Sequence, residues 1–288
     1  MSHSKPGLSL SDPYSLLSFQ VPNANYTEIY GINDSGVIVG TYNVAPTSPA
    51  PSYPSGFVDD KGTITSIAST GGFKGSTAQA INNRGEYLVN EANQYTGQMT
   101  LYAKDGTAIT TLTNFQGTGL NNKGDIVGIT AQPRTSELYS IKTGTSTTIQ
   151  VAGALHTAAT GINDHDEIVG NYQDTASNWH GFIQIGQKMS FLNYPGASET
   201  FIEGVNNSGV VVGYYNTASD EQHGFVDFRG TMIKVDFPGT DNAVVAGINN
   251  RDQIVGSYTS NGTVYGFVGT VECSPGKSPH VVIDHHSW

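Results

Sequence analysis

One ten-residue phrase occurs six times along this chain and constrains the fold more than any other feature. The first copy spans residues 31–40 and reads Gly-Ile-Asn-Asp-Ser-Gly-Val-Ile-Val-Gly, and later copies begin at residues 80, 119, 161, 204 and 247. Successive copies are 49, 39, 42, 43 and 43 residues apart. A period of this length is typical of proteins that stack, or arrange radially, many copies of one supersecondary unit.

The fifth copy shows how one repeat is built. Its segment Asn206-Asn-Ser-Gly209 is typical of a tight hairpin turn, because Asn tolerates a positive φ and Gly adopts one freely. The short apolar runs around this turn predict four strands, at residues 200–205, 210–215, 223–228 and 231–237. Pro238-Gly239 then ends the last strand, since Pro cannot continue a hydrogen-bonded ladder.

Four antiparallel strands in about 43 residues are the dimensions of a β-propeller blade. We therefore predict an all-β protein: a single six-bladed β-propeller domain over residues 15–270, built of four-stranded antiparallel blades. The blades are expected at about 26–66, 73–113, 115–151, 156–194, 200–237 and 243–270 plus 15–22, with residues 1–14 as an N-terminal arm and 271–288 as a C-terminal tail.

The way the chain closes on itself is a separate prediction. The sixth repeat supplies three strands but no fourth strand ending in Pro-Gly. Residues 15–22 have the missing pattern and are predicted to form the outer strand of the last blade, which closes the ring and leaves no long free edge. Residues 280–284 are the alternative candidate. An open solenoid would need atypical capping units at both ends, whereas the terminal repeats here are ordinary.

Composition limits the partners. The formal net charge of −11 disfavours nucleic acid or an anionic membrane, since neither supplies a counter-charge. The lone Cys273 excludes an intrachain disulfide, so the fold does not depend on an oxidising compartment. No apolar run is long enough to cross a bilayer, and the first residues do not resemble a signal peptide. These features predict a cytoplasmic protein, or an extracellular one if a leader has been removed.

The repeat also resembles a known family. The phrase Gly-Ile-Asn-Asp-Ser-Gly-x-Ile-Val-Gly, followed by His-Gly-Phe as at His180-Gly-Phe182 and by Pro-Gly-Ala as at Tyr194-Pro-Gly-Ala197, is similar to the bacterial HAF repeat. The resemblance covers nearly the whole chain and is weakest in the second and third repeats. It implies a repeat architecture with no assigned chemistry, in a family generally described as extracellular.

The first strand of each blade is expected to line the central channel. One residue before the repeated Gly, the channel positions are Tyr30, Gln79, Thr118, Thr160, Glu203 and Ala246. Two residues further back, on the same side of each strand, they are Glu28, Thr77, Gln116, Ala158, Phe201 and Val244. The intervening positions are expected to pack between blades. Mixed polar side chains in a channel can hold a ligand, or simply water.

Variable loops, rather than the constant hairpin turns, are where a rigid scaffold usually places recognition. Aromatic residues gather near these loops, and flat aromatic faces with polar rims suit sugars or other organic ligands. We therefore select Glu28, Glu203, Tyr30 and His156 as candidate catalytic residues. The candidate ligand-binding residues are Gln79, Gln116, Thr118, Thr160, Phe201, Tyr214 and Trp179.

Other polar clusters favour a structural interpretation. His180 and His223 occupy the same place in their repeats and are expected to bond within the blade. Asn163-Asp-His-Asp-Glu167 lies at the shared hairpin turn and lacks the spacing of a calcium loop, so we interpret it as a turn. No nucleotide, metal or redox motif is present, and we predict no metal site and no cofactor.

Three functions remain. The first is one asymmetric pocket at the channel mouth for a small organic or sugar-like ligand; if catalytic, it would be a metal-independent, non-redox lyase, cyclase or isomerase. The second is a multivalent, lectin-like propeller, which would repeat the same ligand residues in every blade. The third is a scaffold for a protein partner. The sequence leaves the oligomeric state open.

Overall fold

The computed structural model describes residues 18–44, 53–70, 72–92, 97–131, 134–237, 240, 242–272 and 278–283. The predicted N-terminal arm, the Pro238-Gly239 turn, Cys273, His285 and His286 lie outside this part of the chain. Every regular element in the described part is a β-strand, which confirms the predicted all-β class. Accordingly, the described residues contain no helix with the length and apolarity needed to cross a membrane.

A short strand, β1 (Ser18–Phe19), precedes the repeats. The first repeat contains β2 (Ala24–Ile32), β3 (Ile38–Val44), β4 (Ser55–Asp60) and β5 (Thr63–Ile67). The second contains β6 (Ser76–Ile81), β7 (Tyr87–Ala92), β8 (Gly97–Tyr102) and β9 (Ala108–Thr113). The third contains β10 (Phe115–Leu120), β11 (Asp125–Thr130), β12 (Ser136–Ser140) and β13 (Thr145–Ile149).

The fourth repeat contains β14 (His156–Ile162), β15 (Glu167–Gln173), β16 (Trp179–Ile185) and β17 (Lys188–Leu192). The fifth contains β18 (Glu199–Val205), β19 (Val211–Asn216), β20 (Gln222–Phe228) and β21 (Thr231–Val235). The sixth contains β22 (Asn242–Ile248), β23 (Gln253–Ser260) and β24 (Thr263–Glu272), and β25 (His280–Ile283) follows. Within each repeat, consecutive strands pair antiparallel, so each repeat is one antiparallel meander.

The first and the last described strands, β1 and β25, both pair with β24. Ser18 and Phe19 lie opposite Phe267 and Gly266, while residues 280–283 lie opposite residues 269–272. The two segments that the sequence offered as alternatives therefore occupy successive stretches of the same strand edge. Residues 271–288 had been assigned to a tail, but β24 runs on to Glu272 and β25 lies within that segment. Its Val281 and Ile283 are buried, which is why the segment folds back.

The core is divided among the contacts between repeats. Each pair of consecutive repeats buries its own apolar cluster, such as the one between the fourth and fifth repeats that contains Val169, Ile202 and Phe225. A cluster of the same kind joins the sixth repeat to the first, where Val255 and Val268 pack with Ile29 and Phe57. In each strand, every second side chain therefore packs in the core, and the side chains between them face the channel or solvent.

A belt of buried asparagines runs through all six hairpin turns. Its members, the first Asn of each repeated turn, are Asn33, Asn82, Asn121, Asn163, Asn206 and Asn249. Each Nδ2 donates to the backbone carbonyl of the next member, at 3.0 to 3.3 Å, and Asn249 donates to Asn33 at 3.0 Å. Each Oδ1 accepts two backbone N–H groups of its own turn, as in Asn206. We call these six residues the asparagine belt.

A second belt lies beside it, formed by the next residue of each turn: Asp34, Asn83, Asn122, Asp164, Asn207 and Asn250. Each backbone N–H donates to the side-chain oxygen of the following member, including Asn250 to Asp34 at 2.8 Å. The two aspartates each accept a further bond from both neighbouring asparagines, as Asp164 does from Asn122 and Asn207. The repeated turns are therefore structural, as their constancy in the sequence indicated.

Candidate functional site

The innermost strand of each repeat carries a β-bulge at one position. The register shifts between Ile29 and Gly31 in the first repeat and between Ile202 and Gly204 in the fifth, which leaves Tyr30 and Glu203 without a partner on the neighbouring strand. The equivalent bulged residues are Gln79, Thr118, Thr160 and Ala246. A bulge redirects a side chain out of the regular pleat. All six residues line one cavity of about 80 Å³.

Burial alternates along these strands as predicted. In β18, Glu199, Phe201 and Glu203 are partly exposed, whereas Thr200 and Ile202 are buried. The same alternation is found along β2 and β22. The intervening residues expected to pack between repeats do so, since Ile29, Ala78, Ala159, Ile202 and Val245 are fully buried. The period of two therefore gives each inner strand one face toward the channel and one toward the core.

Four of the selected residues form a continuous row of rings across the fourth and fifth repeats. His156 stacks on Trp179 with 6.4 Å between ring centroids, Trp179 lies 5.9 Å from Phe201, and Phe201 stacks on Tyr214 at 4.7 Å. Phe201 and Tyr214 face each other on paired strands, which explains their close stacking. We call these residues, His156, Trp179, Phe201 and Tyr214, the aromatic row. The sequence indicated each member but not their contact.

Glu203 lies two residues beyond Phe201 on the same strand face. Its side chain is partly exposed, but what it faces is the narrow cavity, so the surrounding walls exclude most bulk water. This desolvation raises the pKa of the Glu203 carboxyl to about 7, and no hydrogen bond or cation from the described residues offsets it. Burial also raises the pKa of Tyr214, with added repulsion from the charges of Glu203 and Glu199. Glu203 can therefore exchange a proton near neutral pH.

Glu28 has a different environment. The hydroxyls of Tyr26 and Tyr30 both donate to its Oε2, and all three residues lie on one face of β2. Burial, followed by the hydrogen bond and charge of Glu28, raises the pKa of Tyr26. Burial and then the charge of Glu28 raise the pKa of Tyr30. Both phenols therefore stay protonated and remain donors. Glu28 is an acceptor held by two hydroxyls, whereas Glu203 has no hydrogen-bond partner in the part of the chain that the structure describes.

The remaining candidates divide into two groups. The hydroxyls of Thr118 and Thr160 donate to the carbonyls of Ala159 and Ile202 in the next repeat, at 2.8 and 2.7 Å, so their protons are committed to the scaffold. Gln79 lines the cavity with the other bulged residues. Gln116 lies one step toward the mouth and is exposed. The two glutamines thus remain available as ligand contacts, while the two threonines join neighbouring repeats.

Two residues of the site were missed by the sequence analysis. Tyr26 bonds Glu28, and Glu199 accepts a hydrogen bond from Asn216 Nδ2 at 3.0 Å. Each lies two residues nearer the mouth than a selected residue. Extending the strand alternation by one more step would have found both, because residues i and i−2 share a strand face.

The polar clusters interpreted as structural do bond locally. His180 contacts Asp174 and Asn193, and His223 contacts Asp236, all within their own repeats. Residues 163–167 form the hairpin turn predicted for them, with Asp166 N–H donating to the Asn163 carbonyl and φ of Asp166 at 62°. His280 belongs to β25, 3.9 Å from Glu272.

A further cavity was not anticipated. It has a volume of about 430 Å³ and lies between the first and second repeats on the side of the hairpin turns. Its wall includes Val58 and Tyr87, and charged residues such as Asp60, Arg84 and Lys104 surround it. Arg84 is already paired with Glu86 at 2.6 Å. This groove carries charges of both signs, and it is separate from the channel.

No protein-family model and no curated protein sequence matches the chain. Solved structures do match it. The β-propeller domain of the trilobed protease from Pyrococcus furiosus aligns at a TM-score of 0.53 and 8% identity, covering 85% of this chain and 93% of that one. TolB from Acinetobacter baumannii aligns at 0.57 and 11%, covering 85% and 66%. The acylaminoacyl peptidase from Pyrococcus horikoshii aligns at 0.52 and 8%, covering 86% and 52%.

The fold is a β-propeller. The predicted four-stranded antiparallel blade is thereby confirmed as the building unit. At these identities the likeness concerns the fold alone, because propellers of the same shape serve unrelated functions. The activity has to be inferred from the channel itself.

The unpaired state of Glu203 predicts a pH-dependent stability. Its pKa is about 7 in the folded protein, against an ordinary value of 4.5 in the unfolded chain. The folded protein therefore holds the proton more tightly, and the free energy of unfolding falls as pH rises from 4.5 through 7. We expect Glu203→Gln to remove this fall, which is on the order of 2–3 kcal/mol. Urea denaturation of both proteins at pH 5 and pH 8 measures it.

The exposed Glu221, in the same repeat, provides the control. Glu221→Gln makes the same change in charge outside the channel and should leave the pH dependence of the wild type intact. If Glu203→Gln and the wild type differ by the same amount at both pH values, Glu203 is solvated and this electrostatic interpretation is wrong.

Proposed function

We propose that this protein binds one small organic molecule in an asymmetric pocket at the mouth of the propeller channel. The observation that carries the proposal is the aromatic row, which stacks across two repeats and leads to the desolvated carboxylate of Glu203. Ligand pockets commonly combine apolar walls with a few polar groups that fix orientation. Phe201 and Tyr214 supply the wall, and Glu203 supplies the polar group.

The asymmetry favours a single site over a multivalent one. At the position of Phe201 the other repeats carry Glu28, Thr77, Gln116, Ala158 and Val244. A lectin-like propeller with one site per blade needs the same ligand residues in each blade, and these residues differ in size, charge and aromaticity. The binding surface therefore belongs to the fourth and fifth repeats, with β2 providing a different wall.

We further infer that the six repeats form the six blades of a closed ring. The asparagine belt supports this, because its hydrogen bonds continue from Asn249 to Asn33. The apolar cluster shared by the first and sixth repeats supports it too. In this proposal β1 and β25 together complete the last blade on β24. A closed ring keeps the channel walls rigid and the pocket preformed.

A second candidate function is proton-transfer catalysis at the same pocket. Glu203 is unpaired, and its pKa is raised to about 7 by desolvation, whereas two tyrosine hydroxyls donate to Glu28. Carboxyl groups in contrasting environments suit the roles of general base and fixed electrostatic partner. This arrangement would serve a metal-independent lyase, cyclase or isomerase, with Glu203 moving the proton and Tyr30 or Tyr214 donating a hydrogen bond.

Trp179 makes the binding proposal testable. The chain has two tryptophans, so a Trp288→Phe background leaves Trp179 as the only indole reporter. We expect compounds from a panel of small aromatics and saccharides to change its fluorescence and to bind with one equivalent per chain by calorimetry. Phe201→Ala should weaken every such hit by tenfold or more. Several equivalents per chain, or hits insensitive to Phe201→Ala, would contradict the single channel pocket.

A further inference from the structure

The charges that face the channel are of one sign. The six inner strands β2, β6, β10, β14, β18 and β22 contain Glu28, Glu199 and Glu203 but no Lys and no Arg. Their one basic side chain is His156, which lies at the outer end of β14. Arg134 is not on an inner strand; with His156 and Thr157 of β14 it lines a cavity of about 100 Å³ that none of Glu28, Glu199 and Glu203 lines. An anionic ligand would meet repulsion along the channel wall.

Two of these carboxylates already have partners. Glu28 accepts from Tyr26 and Tyr30, and Glu199 accepts from Asn216. Glu203 accepts no hydrogen bond from any residue of the described chain, although the channel walls desolvate it. The charge of Glu203 acts on Tyr214, a group that offers no positive charge. A desolvated, unpaired carboxylate at the base of a pocket is complementary to a ligand that brings its own cation.

The aromatic row adds an independent attraction for positive charge. The faces of aromatic rings are electron-rich, and a cation placed over Trp, Tyr or Phe within about 6 Å is stabilised. Phe201 lies two residues from Glu203 on the same face of β18, and Tyr214 is opposite Phe201 on the paired strand. One ligand can therefore reach the aromatic row and the carboxylate together. The cavity of about 80 Å³ beside Glu203 is large enough for an ammonium group.

We propose that the ligand is an organic cation, a primary or methylated amine carried on a flat apolar body. The ammonium group pairs with Glu203 inside the cavity, and the apolar body lies along Phe201, Tyr214 and Trp179 toward the mouth. This inference rests on the proposed function, since it specifies the ligand of the same pocket.

Three matched probes test the charge requirement: 2-phenylethylamine, 2-phenylethanol and phenylacetate. They share one aromatic body and differ in being cationic, neutral and anionic at pH 8, where Glu203 is ionised. Calorimetry on the full-length protein is expected to show the amine binding at least tenfold more tightly than the alcohol, with no binding of phenylacetate. Glu203→Gln should reduce the affinity for the amine at least tenfold and leave that for the alcohol within twofold.

Aromatic contact is tested separately. Phe201→Leu should weaken both the amine and the alcohol at least fivefold, because it removes a ring from the wall and keeps an apolar side chain. Glu221→Gln and Phe191→Leu change the same residue types at exposed positions of the fifth and fourth repeats and should alter neither affinity.

The outcomes separate the two proposals. If amine and alcohol bind equally and both depend on Phe201, the pocket is correct and its preference for a cation is wrong. If phenylacetate binds most tightly, the preference is also wrong. If no probe binds, or if binding is unaffected by both Glu203→Gln and Phe201→Leu, the channel pocket itself is rejected.

Discussion

Gly256→Ala is expected to destabilise the protein by about 3–5 kcal/mol, because the added methyl group overpacks a position with no room for it. A Cβ at this position would lie 1.9 Å from the Val244 carbonyl oxygen and 2.8 Å from the Phe267 ring. The bulge at Ala246 directs the Val244 carbonyl toward Gly256, and Phe267 covers the same residue from the next strand. Neither neighbour can move, because one is backbone and the other is fully buried. Urea denaturation measures the loss.

Gly97→Ala is the matched control. Gly97 also lies in a strand, but among the described residues its Cβ would meet no atom nearer than 3.6 Å. We expect its free energy of unfolding to change by less than about 1 kcal/mol, since Ala also restricts the unfolded chain. Equal changes in the free energy of unfolding at Gly256 and Gly97 would show that strand propensity, rather than the bulge, explains why Gly recurs at this position of the repeat.

The second repeat is the exception to this packing of a ring against the final Gly of the phrase. Where the other copies of the phrase end in Gly, this one has Val89, and its partner on the next strand is Thr100 instead of an aromatic residue. In the first, fourth, fifth and sixth repeats the final Gly faces a Phe. In the third repeat Gly128 faces Glu137, and the ring that covers the glycine is that of Phe115 on the inner strand. A final Gly is therefore covered by a Phe ring in five repeats, although the strand that supplies the ring differs.

Asn249→Ala is expected to cost about 2–4 kcal/mol. The substitution leaves the backbone N–H groups of Arg251 and Gln253 without their side-chain acceptor. It also removes one of the two hydrogen bonds to the Asn33 carbonyl, which keeps the one from Gly36 N–H. Buried polar groups that lose a partner keep their full desolvation penalty. Chemical denaturation gives the cost, and Asn25→Ala, at an exposed strand position, should be neutral.

The same substitution tests whether the first and last repeats remain joined in solution. Asn206 makes the equivalent bonds between the fifth and sixth repeats, so Asn206→Ala should cost the same as Asn249→Ala within about 1 kcal/mol. Amide hydrogen exchange reports directly on whether the first and last repeats stay joined. The Asn250 amide donates to Asp34 across the junction, and it should exchange as slowly as the Asn207 amide. Fast exchange at Asn250 alone would mean that the ring opens there.

The repeating blade was predictable because its determinants are local. Hairpin turns such as Asn206-Asn-Ser-Gly209 fix which strands are neighbours, and the period of two fixes which side chains share a face. The strands predicted for the fifth repeat agree with the observed ones to within one residue at every boundary except that near Phe237, where the ladder ends two residues earlier, at Val235. The sequence predicts residues 280–284 only as an alternative to residues 15–22, because nothing local shows that β24 is long enough to pair with both segments.

The channel positions were also predictable, but not what each side chain does there. Thr118 and Glu203 occupy equivalent bulges, yet one hydroxyl bonds the next repeat while the other side chain is unpaired. Whether the side chain at a bulge is hydrogen-bonded depends on groups in the neighbouring repeat, about 40 residues away in the chain. Likewise His156, Trp179, Phe201 and Tyr214 carry no sequence signal of mutual contact, because their stacking crosses from one blade to the next.

The sequence by itself determined the repeating unit, its turns and the face of each inner strand, since all of these follow from short-range backbone geometry and from alternation along a strand. Only the tertiary structure decided which side chains meet across blades, where β1 and β25 pair on β24, and which carboxylate has no partner among the described residues. Those properties depend on distances between residues far apart in the chain and on the exclusion of water by walls that several blades build together.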